Sequence, residues 1–343
     1  MYMKKCLIRV DSNGTIGTGH LMRCLAMAGE LKKSCQVVFV LADKMGTELL
    51  EKEGFSYRCL ESQWNQMEDE IEAVCQVIKE ENAQVLLIDS YQVTKNYLEC
   101  VRRLIKTVYV DDLHEFLYPC DLLVNYAVYA KDYDYEKKYQ NRDTKLLIGC
   151  SYAPLRQEFA ALPEKEINEQ IKNVLVLTGG TDSCHFALQF MKQIVGIQEY
   201  KNVRFHIICG KYNQDIEQLR ELEKEKRNVQ VYCNLFELGR FMRNVDIAIS
   251  AGGTTLYELA ACGTPTIGYS LADNQLENLK SFADKGCLLS VGDIRQGFPK
   301  EELLKGLEEL ADRKKREELS HRMKQLVDGN GCRRLAEEII KLS

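Results

Sequence analysis

Proline is scarce in this chain, five in 343 residues, and with 45% hydrophobic and 28% charged residues this excludes long Pro-rich or disordered linkers. A basic excess is missing too. The 46 Lys and Arg stand against 51 Asp and Glu, the net charge is −5, and the longest basic run is Arg313 to Arg316. Such a surface offers no footprint for a nucleic-acid backbone, so no nucleic-acid partner is expected. No apolar run approaches the ~18 residues of a membrane span. The apolar stretch within Met1 to Arg9 is shorter than a signal h-region. The expectation is a compact cytoplasmic protein with no membrane partner.

Metal-binding spacing is absent as well. Fourteen cysteines are spread singly, the closest pair being Cys24 and Cys35, and no Cys-x-x-Cys occurs. His20, His114, His185, His206 and His321 are dispersed, so no metal site and no cofactor are expected. The cysteines read as small buried hydrophobes in a reducing compartment.

At roughly 150 residues per domain the length favours two domains, each with its own core. Short β-rich runs alternate with helical stretches: Cys6 to Val10, Val37 to Leu41, Tyr57 to Leu60, Val85 to Ile88, Val108 to Val110 and Leu122 to Val124. Helical periodicity lies between them, as in Leu21, Leu25 and Ala28 or Ile71, Val74, Cys75 and Ile78. The alternation implies βαβ units and parallel sheets. It dissolves in a Tyr- and Lys-rich stretch from Asn125 to Lys145, and a polar run follows at Pro163 to Lys172. It then restarts with Val174 to Leu177, Val203 to Cys209, Val229 to Tyr232, Ile247 to Ser250 and Thr264 to Tyr269. The change of domain falls at the polar run. The expected division is residues 1–160 and 161–330, plus a C-terminal helix in 331–343 packing back across the hinge. The fold class is α/β, two Rossmann-like open parallel-sheet domains facing a cleft.

Ligands of open α/β sheets bind beyond the carboxyl ends of the strands, so the strand tips hold the candidate chemistry. The first strand ends in Asp11-Ser12-Asn13-Gly14-Thr15-Ile16-Gly17-Thr18-Gly19-His20. Its glycines do not form G-x-G-x-x-G and no P-loop lysine follows, which weakens NAD and ATP readings. His20 falls in the first turn of a helix, where the macrodipole disfavours added positive charge, and a neutral imidazole there can accept a proton. Asp11 either orients His20 or meets sugar hydroxyls, and it also suits an Asx turn. Asp89-Ser90-Tyr91 forms a second polar tip; Asp111-Asp112 forms a third, equally suited to capping a helix.

In the second half, Gly252-Gly253-Thr254-Thr255 follows a strand and opens a helix, so its free amides make a cradle for a diphosphate. Glu258, one turn in, is placed for ribose hydroxyls or for a capping box with Thr255. Gly179-Gly180-Thr181-Asp182 and Asp273-Asn274-Gln275 with Asn278 lie at the same expected edge. Their amide side chains suit sugar hydroxyls and acetamido groups.

These residues carry a resemblance. The run Arg9-x-Asp11, Ile16-Gly17-x-Gly19-His20-x-x-Arg23-Cys24-Leu25 is joined by Asp89-x-Tyr91 and by Asn125 with Tyr129. Tyr152-x-x-Leu155-Arg156-x-Glu158-Phe159, Gly179-Gly180-Thr181-Asp182, Gly252 to Glu258 and the Asp328-Gly329-x-Gly331 tail with Arg334 complete it. Together they resemble the UDP-2,4-diacetamido-2,4,6-trideoxy-β-L-altropyranose hydrolase family of pseudaminic acid biosynthesis, which is related to the B-type (GT-B) glycosyltransferases. The resemblance implies a UDP-sugar substrate and metal-independent hydrolysis with inversion. His20 is then the base, and Asp11, Tyr91, Asn125, Asn274, Gln275 and Asn278 contact the sugar. UDP is held by Gly179, Gly180, Thr181, Gly252, Gly253, Thr254, Thr255 and Glu258, with uracil near Cys233 to Leu238. The alternative is an inverting UDP-sugar glycosyltransferase using the same residues; an inactive nucleotide-sugar sensor fits less well, because His20 is present. The exact sugar and the oligomeric state are not set by any motif.

Overall fold

A computed structural model describes residues 4–210, 213–233, 235 and 238–342. The chain divides into two compact units, Met1–Gln157 with Gly329–Ser343, and Glu158–Asp328.

The first unit holds seven strands: β1 (Lys5–Val10), β2 (Gln36–Leu41), β3 (Ser56–Cys59), β4 (Val85–Asp89), β5 (Lys106–Val110), β6 (Leu122–Asn125) and β7 (Lys145–Ile148). All pair in parallel in the order β3-β2-β1-β4-β5-β6-β7. Strands β4 and β6 are unbroken buried runs and β1 is buried from Cys6 onward, as expected of strands covered on both faces. Their connections include α1 (Gly19–Leu31), α2 (Thr47–Lys52), α3 (Ile71–Glu81), α4 (Lys95–Arg102) and α5 (Tyr135–Tyr139). Helix α1 buries His20, Leu21, Cys24, Met27, Ala28 and Leu31, one stripe at helical spacing.

The second unit holds β8 (Asn173–Leu177), β9 (Arg204–Cys209), β10 (Val229–Cys233), β11 (Ile247–Ala251), β12 (Thr266–Ser270) and β13 (Leu289–Asp293). These are parallel in the order β10-β9-β8-β11-β12-β13. Its helices are α6 (Phe186–Gln193), α7 (Ile216–Glu225), α8 (Leu238–Asn244), α9 (Thr255–Cys262), α10 (Asp273–Asp284), α11 (Lys300–Glu309) and α12 (Arg313–Leu326). The polar run at 163–172 is tied into this unit: Asp246 accepts from Asn168 Nδ2 (2.7 Å) and from the Lys172 and Asn173 amides (2.8 Å each).

The last helix, α13 (Gly331–Leu342), belongs to the first unit and packs on α1. Cys332 Sγ reaches the Leu155 carbonyl (3.2 Å) and Arg334 that of Ser151 (2.9 Å).

Two strands, β7 and β13, have no counterpart among the sequence-based runs. Both lie at sheet edges, where half-buried residues blur the apolar signal. The Tyr-rich stretch contributes Tyr135 and Tyr139 to an aromatic core. Tyr118, Tyr135 and Tyr139 are buried with Tyr109 and Leu123, and the Tyr109 and Tyr118 rings lie 4.5 Å apart. All fourteen cysteines are free.

Candidate active site

Each sheet reverses its winding once. In the first unit the reversal falls between β1 and β4, so the loops after those strands flank the place where open α/β sheets bind ligands. The loop after β1 closes on itself: Asn13 Oδ1 accepts from the Thr15 and Ile16 amides (2.8 and 3.0 Å), and the Gly17 amide donates to Asn13 O (2.9 Å). The loop thus delivers His20 in the first turn of α1 without offering those amides to a phosphate. Strand β4 ends in Asp89.

His20 Nδ1 lies 2.7 Å from Asp89 Oδ1, and both residues are buried. Arg23 Nη2 also lies 3.0 Å from Nδ1, but its two N–H groups reach Asp89 Oδ1 and Asp112 Oδ2; an ionised carboxylate only accepts, so Nδ1 carries the proton towards Asp89 and Nε2 is the acceptor whenever the ring is neutral. No described residue hydrogen-bonds His20 Nε2. Arg23 shares the helix face of His20 at i+3 and grips both Asp89 oxygens, through Nε (2.5 Å) and Nη2. Its remaining donors reach Tyr126 Oη (2.8 Å) and Asp112 Oδ2 (2.8 Å). Burial works to raise the Asp89 pKa, but the Arg23 charge, its hydrogen bonds and then His20 outweigh it and hold the carboxyl well below its usual range. Tyr91 places its ring edge-on to His20, centroids 4.5 Å apart, and remains exposed. Partial burial of its hydroxyl end, followed by the nearby Asp112 carboxylate, raises the phenol above its ordinary value.

In the second unit the reversal falls between β8 and β11. After β11 comes the turn Gly252-Gly253-Thr254, and α9 starts at Thr255 with no side-chain cap on its N-terminus. The amides of Gly253, Thr254 and Thr255 donate to no acceptor among the described residues. Asn278 clamps this turn: Nδ2 donates to Gly252 O (2.8 Å) and Gly253 O (3.3 Å), and Oδ1 accepts from Tyr257 Oη (2.8 Å). A Cβ on Gly252 would sit 3.1 Å from Gln275 O, so the turn lies directly on the start of α10. Glu258 is half-buried on the first turn of α9.

After β8, Gly179 adopts a φ of +74°, and Gly179, Gly180 and Thr181 are exposed. Asp182 caps α6 through the Phe186 and Ala187 amides (2.8 and 3.0 Å). Asn274 is exposed, and Gln275 Oε1 accepts from the Leu271 amide (3.2 Å).

Three expected sugar contacts are placed otherwise. Asp11 neither orients His20 nor faces a ligand freely: it accepts from Arg9 Nη1 (2.6 Å) and the Ala42 amide (2.8 Å), in a buried network where Arg9 also binds Glu70 through Nε (2.7 Å) and Nη2 (2.8 Å). A fully buried guanidinium needs those carboxylates, and the network holds the tip of β1. Asn125 is fully buried, donating to Tyr135 Oη (2.9 Å) and accepting from the Ala127 amide (3.0 Å). The Asn278 amide is spent on the glycine turn. Conversely, Arg23 carries no role in the sequence reading and Asp112 only that of a polar strand tip or helix cap; the i,i+3 spacing of His20 and Arg23 is the available signal. Residues 234, 236 and 237, within the segment expected near uracil, lie outside the described residues. Among the described residues, no group of three or more His, Cys, Asp or Glu is arranged to hold a metal ion, and no helix is long and apolar enough to cross a membrane.

Comparison with known proteins agrees with this architecture. Residues 174–339 match the glycosyltransferase family 28 C-terminal domain. The chain is 26% identical over 256 residues to the UDP-2,4-diacetamido-2,4,6-trideoxy-β-L-altropyranose hydrolase of Campylobacter jejuni, covering 74% of this chain and 87% of that one. It is 32% identical over 148 residues to the Helicobacter pylori pseudaminic acid cytidylyltransferase and UDP-2,4-diacetamido-2,4,6-trideoxy-β-L-altropyranose hydrolase, covering 43% of this chain and 26% of that one. An uncharacterized protein of Methanocaldococcus jannaschii is 21% identical over 309 residues, 86% of this chain, which spans only 61% of that protein's length. Among solved structures, Acinetobacter baumannii MurG superposes with a TM-score of 0.72 at 15% identity, over 98% of this chain and 99% of that one. The chain is therefore a homologue of proteins named as this hydrolase, and its fold is that of the GT-B glycosyltransferases.

Proposed function

We propose that the protein hydrolyses a UDP-linked diacetamido-trideoxy sugar, UDP-2,4-diacetamido-2,4,6-trideoxy-β-L-altrose, in a nonulosonate pathway of the pseudaminic acid kind. The observation that carries the reading is the His20–Asp89 pair, with Nε2 open at the reversal point of the first sheet. The two hydrolase relatives direct that base towards water. His20 Nε2 takes a proton from water, the oxygen forms a bond to the anomeric carbon from the face opposite UDP, and the bond to the diphosphate oxygen breaks. The product is the free sugar of inverted anomeric configuration. UDP departs with the bonding electron pair, and the imidazolium passes its proton to solvent.

The uncapped N-terminus of α9 is the proposed diphosphate cradle, because unsatisfied amides and the helix dipole favour negative charge where it develops. Gly179, Gly180 and Thr181 flank it, Glu258 is proposed for the ribose, and Tyr91, Asn274 and Gln275 remain the proposed sugar contacts. No step in this scheme calls for a metal ion or an organic cofactor. A cytoplasmic location is part of the proposal.

The alternative is an inverting glycosyltransferase in which a carbohydrate hydroxyl replaces water. The match to the family 28 C-terminal domain and the likeness to MurG favour it. One experiment separates the two: the purified protein is incubated with the UDP-sugar in EDTA without an acceptor, following UDP release and the sugar by NMR. Release of UDP with the inverted free sugar is expected; intact substrate in the presence of bound UDP moves the glycosyltransferase reading forward.

A further inference from the structure

A second His–Asp pair stands at the carboxyl edge of the other sheet, and the scheme above does not use it. His185 is the residue before α6, held in the left-handed region (φ 52°, ψ 34°) that non-glycine residues seldom adopt. Its Nδ1 lies 2.7 Å from Asp215 Oδ2. Asp215, ahead of α7, is buried and gives no side-chain cap to that helix, so His185 is the one described side chain its carboxylate hydrogen-bonds. The imidazole is 53% exposed, and Nε2 has no partner among the described residues. A strained backbone and a buried carboxylate together serve to aim one ring nitrogen outward.

The surroundings say at what. Strand β8 leads into this loop and borders the reversal point beside β11, whose following turn bears the free amides of Gly253 to Thr255. Asp182 already occupies the N-terminus of α6, so those helix amides are closed to a second anion. What the loop has left is the exposed Gly179-Gly180 turn, His185, and the buried Thr178 hydroxyl, which has no hydrogen-bond partner among the described residues. With Nδ1–H given to Asp215, Nε2 becomes a donor once the ring carries its second proton, and the carboxylate behind offsets that charge. Such a donor suits a phosphate oxygen.

We infer that His185, oriented by Asp215, binds the phosphate oxygens of the nucleoside diphosphate, which rests on the nucleotide-sugar reading above. His185 therefore separates UDP from uridine and stabilises the leaving group as its charge develops. The test is calorimetric titration of the whole protein with UDP and with uridine, in wild type and in His185→Asn, a residue that tolerates the left-handed backbone. A charge-assisted hydrogen bond of this kind corresponds to about 10-fold or more in UDP affinity, with uridine affinity within about twofold. His185→Arg, which can face Asp215 and a phosphate together, is expected to retain most of the preference for UDP. Asp215→Asn, which keeps the ring and loosens its hold, should lose part of it and serves if His185→Asn does not fold. Wild type that binds neither nucleotide overturns the nucleotide reading itself. Wild type that prefers UDP, with the preference unchanged in both His185→Asn and Asp215→Asn, overturns this inference alone.

Discussion

The two sheet edges carry the same pair of side chains in opposite electrostatic settings. His20 is buried and its carboxylate partner, Asp89, is already gripped by Arg23, so the ring is not needed as a counterion. His185 is exposed and its carboxylate partner, Asp215, hydrogen-bonds no other described side chain. A pair whose charge is balanced from outside leaves the imidazole free to take up and return a proton. A pair whose carboxylate hydrogen-bonds no other described side chain holds its ring towards an anion, with the carboxylate behind it to offset positive charge. Sequence motifs cannot draw this distinction, because it depends on which third group reaches each carboxylate.

The largest expected effect comes from removing the base. His20→Asn is expected to lower turnover by ~10²-fold or more while UDP affinity stays nearly unchanged, as for loss of a general base. Stopped assays of UDP release, with calorimetry for affinity, check both halves; wild-type turnover would remove His20 from the chemistry. Asp89→Asn sharpens the comparison with a nearly isosteric change. An amide that donates to Nδ1 forces the other tautomer, with Nε2 protonated and unable to accept, so turnover should fall by at least ~10-fold.

The same substitution has a signature in stability. The folded-state pKa of Asp89 is depressed, so its stabilising contribution is fully present above the unfolded carboxylate value near ~3.9 and is lost as pH falls through the acidic range. Thermal melts of wild type from pH 7 to pH 3 should therefore drop more steeply than those of Asp89→Asn. Parallel profiles would mean that Arg23 does not hold the carboxylate in the way the geometry indicates.

How much of this was legible beforehand follows from the range of each interaction. The central strands announced themselves because burial on both faces writes continuous apolar runs, as in Val85 to Ile88 or Ile247 to Ser250. The edge strand Leu289–Asp293 did not, since none of its residues is fully buried and Gly292 interrupts its short apolar pattern. His20 was legible from a local signal, a glycine-rich turn leading into a helix. Its orienting partner was not, because Asp89 lies 69 residues away and is brought to it by the pairing of β1 with β4. Asp11 and Asn125 misled for the converse reason: each sits at a strand tip, but long-range partners, Arg9 with Ala42 and Tyr135 with Ala127, consume their polar atoms. His185 left no local mark at all, since neither its backbone angle nor Asp215 follows from spacing.

Smaller effects belong to the second edge. Glu258→Ala is expected to weaken UDP by about 10-fold, the loss of a charge-assisted contact to ribose hydroxyls. Calorimetry with uridine should show the same loss, since uridine keeps the ribose; this contrasts with His185→Asn, where only the phosphate-bearing ligand suffers. Equal effects of the two substitutions on both ligands would dissolve the proposed division between sugar and phosphate contacts.

The last probe is Gly210→Ala, which changes no residue expected to contact the ligand but presses on two that are. Gly210 follows β9, and a Cβ there would come within about 2.5 Å of backbone atoms of Gly179 and Gly180, so the turn after β8 must shift to admit it. Overpacking of backbone against backbone costs about 1–3 kcal/mol, read as a lower melting temperature. If the 179–180 turn helps hold the diphosphate, UDP affinity should also fall by a few-fold while uridine affinity does not. If only stability falls, the turn is scaffolding, and the anion-binding work of this edge rests on the start of α9 and on His185. Because Gly210 O also accepts from the Asn213 amide, whose side chain holds the Asp215 amide, the same measurement is paired with His185→Asn, and a loss beyond that of His185→Asn marks backbone recognition of the phosphates.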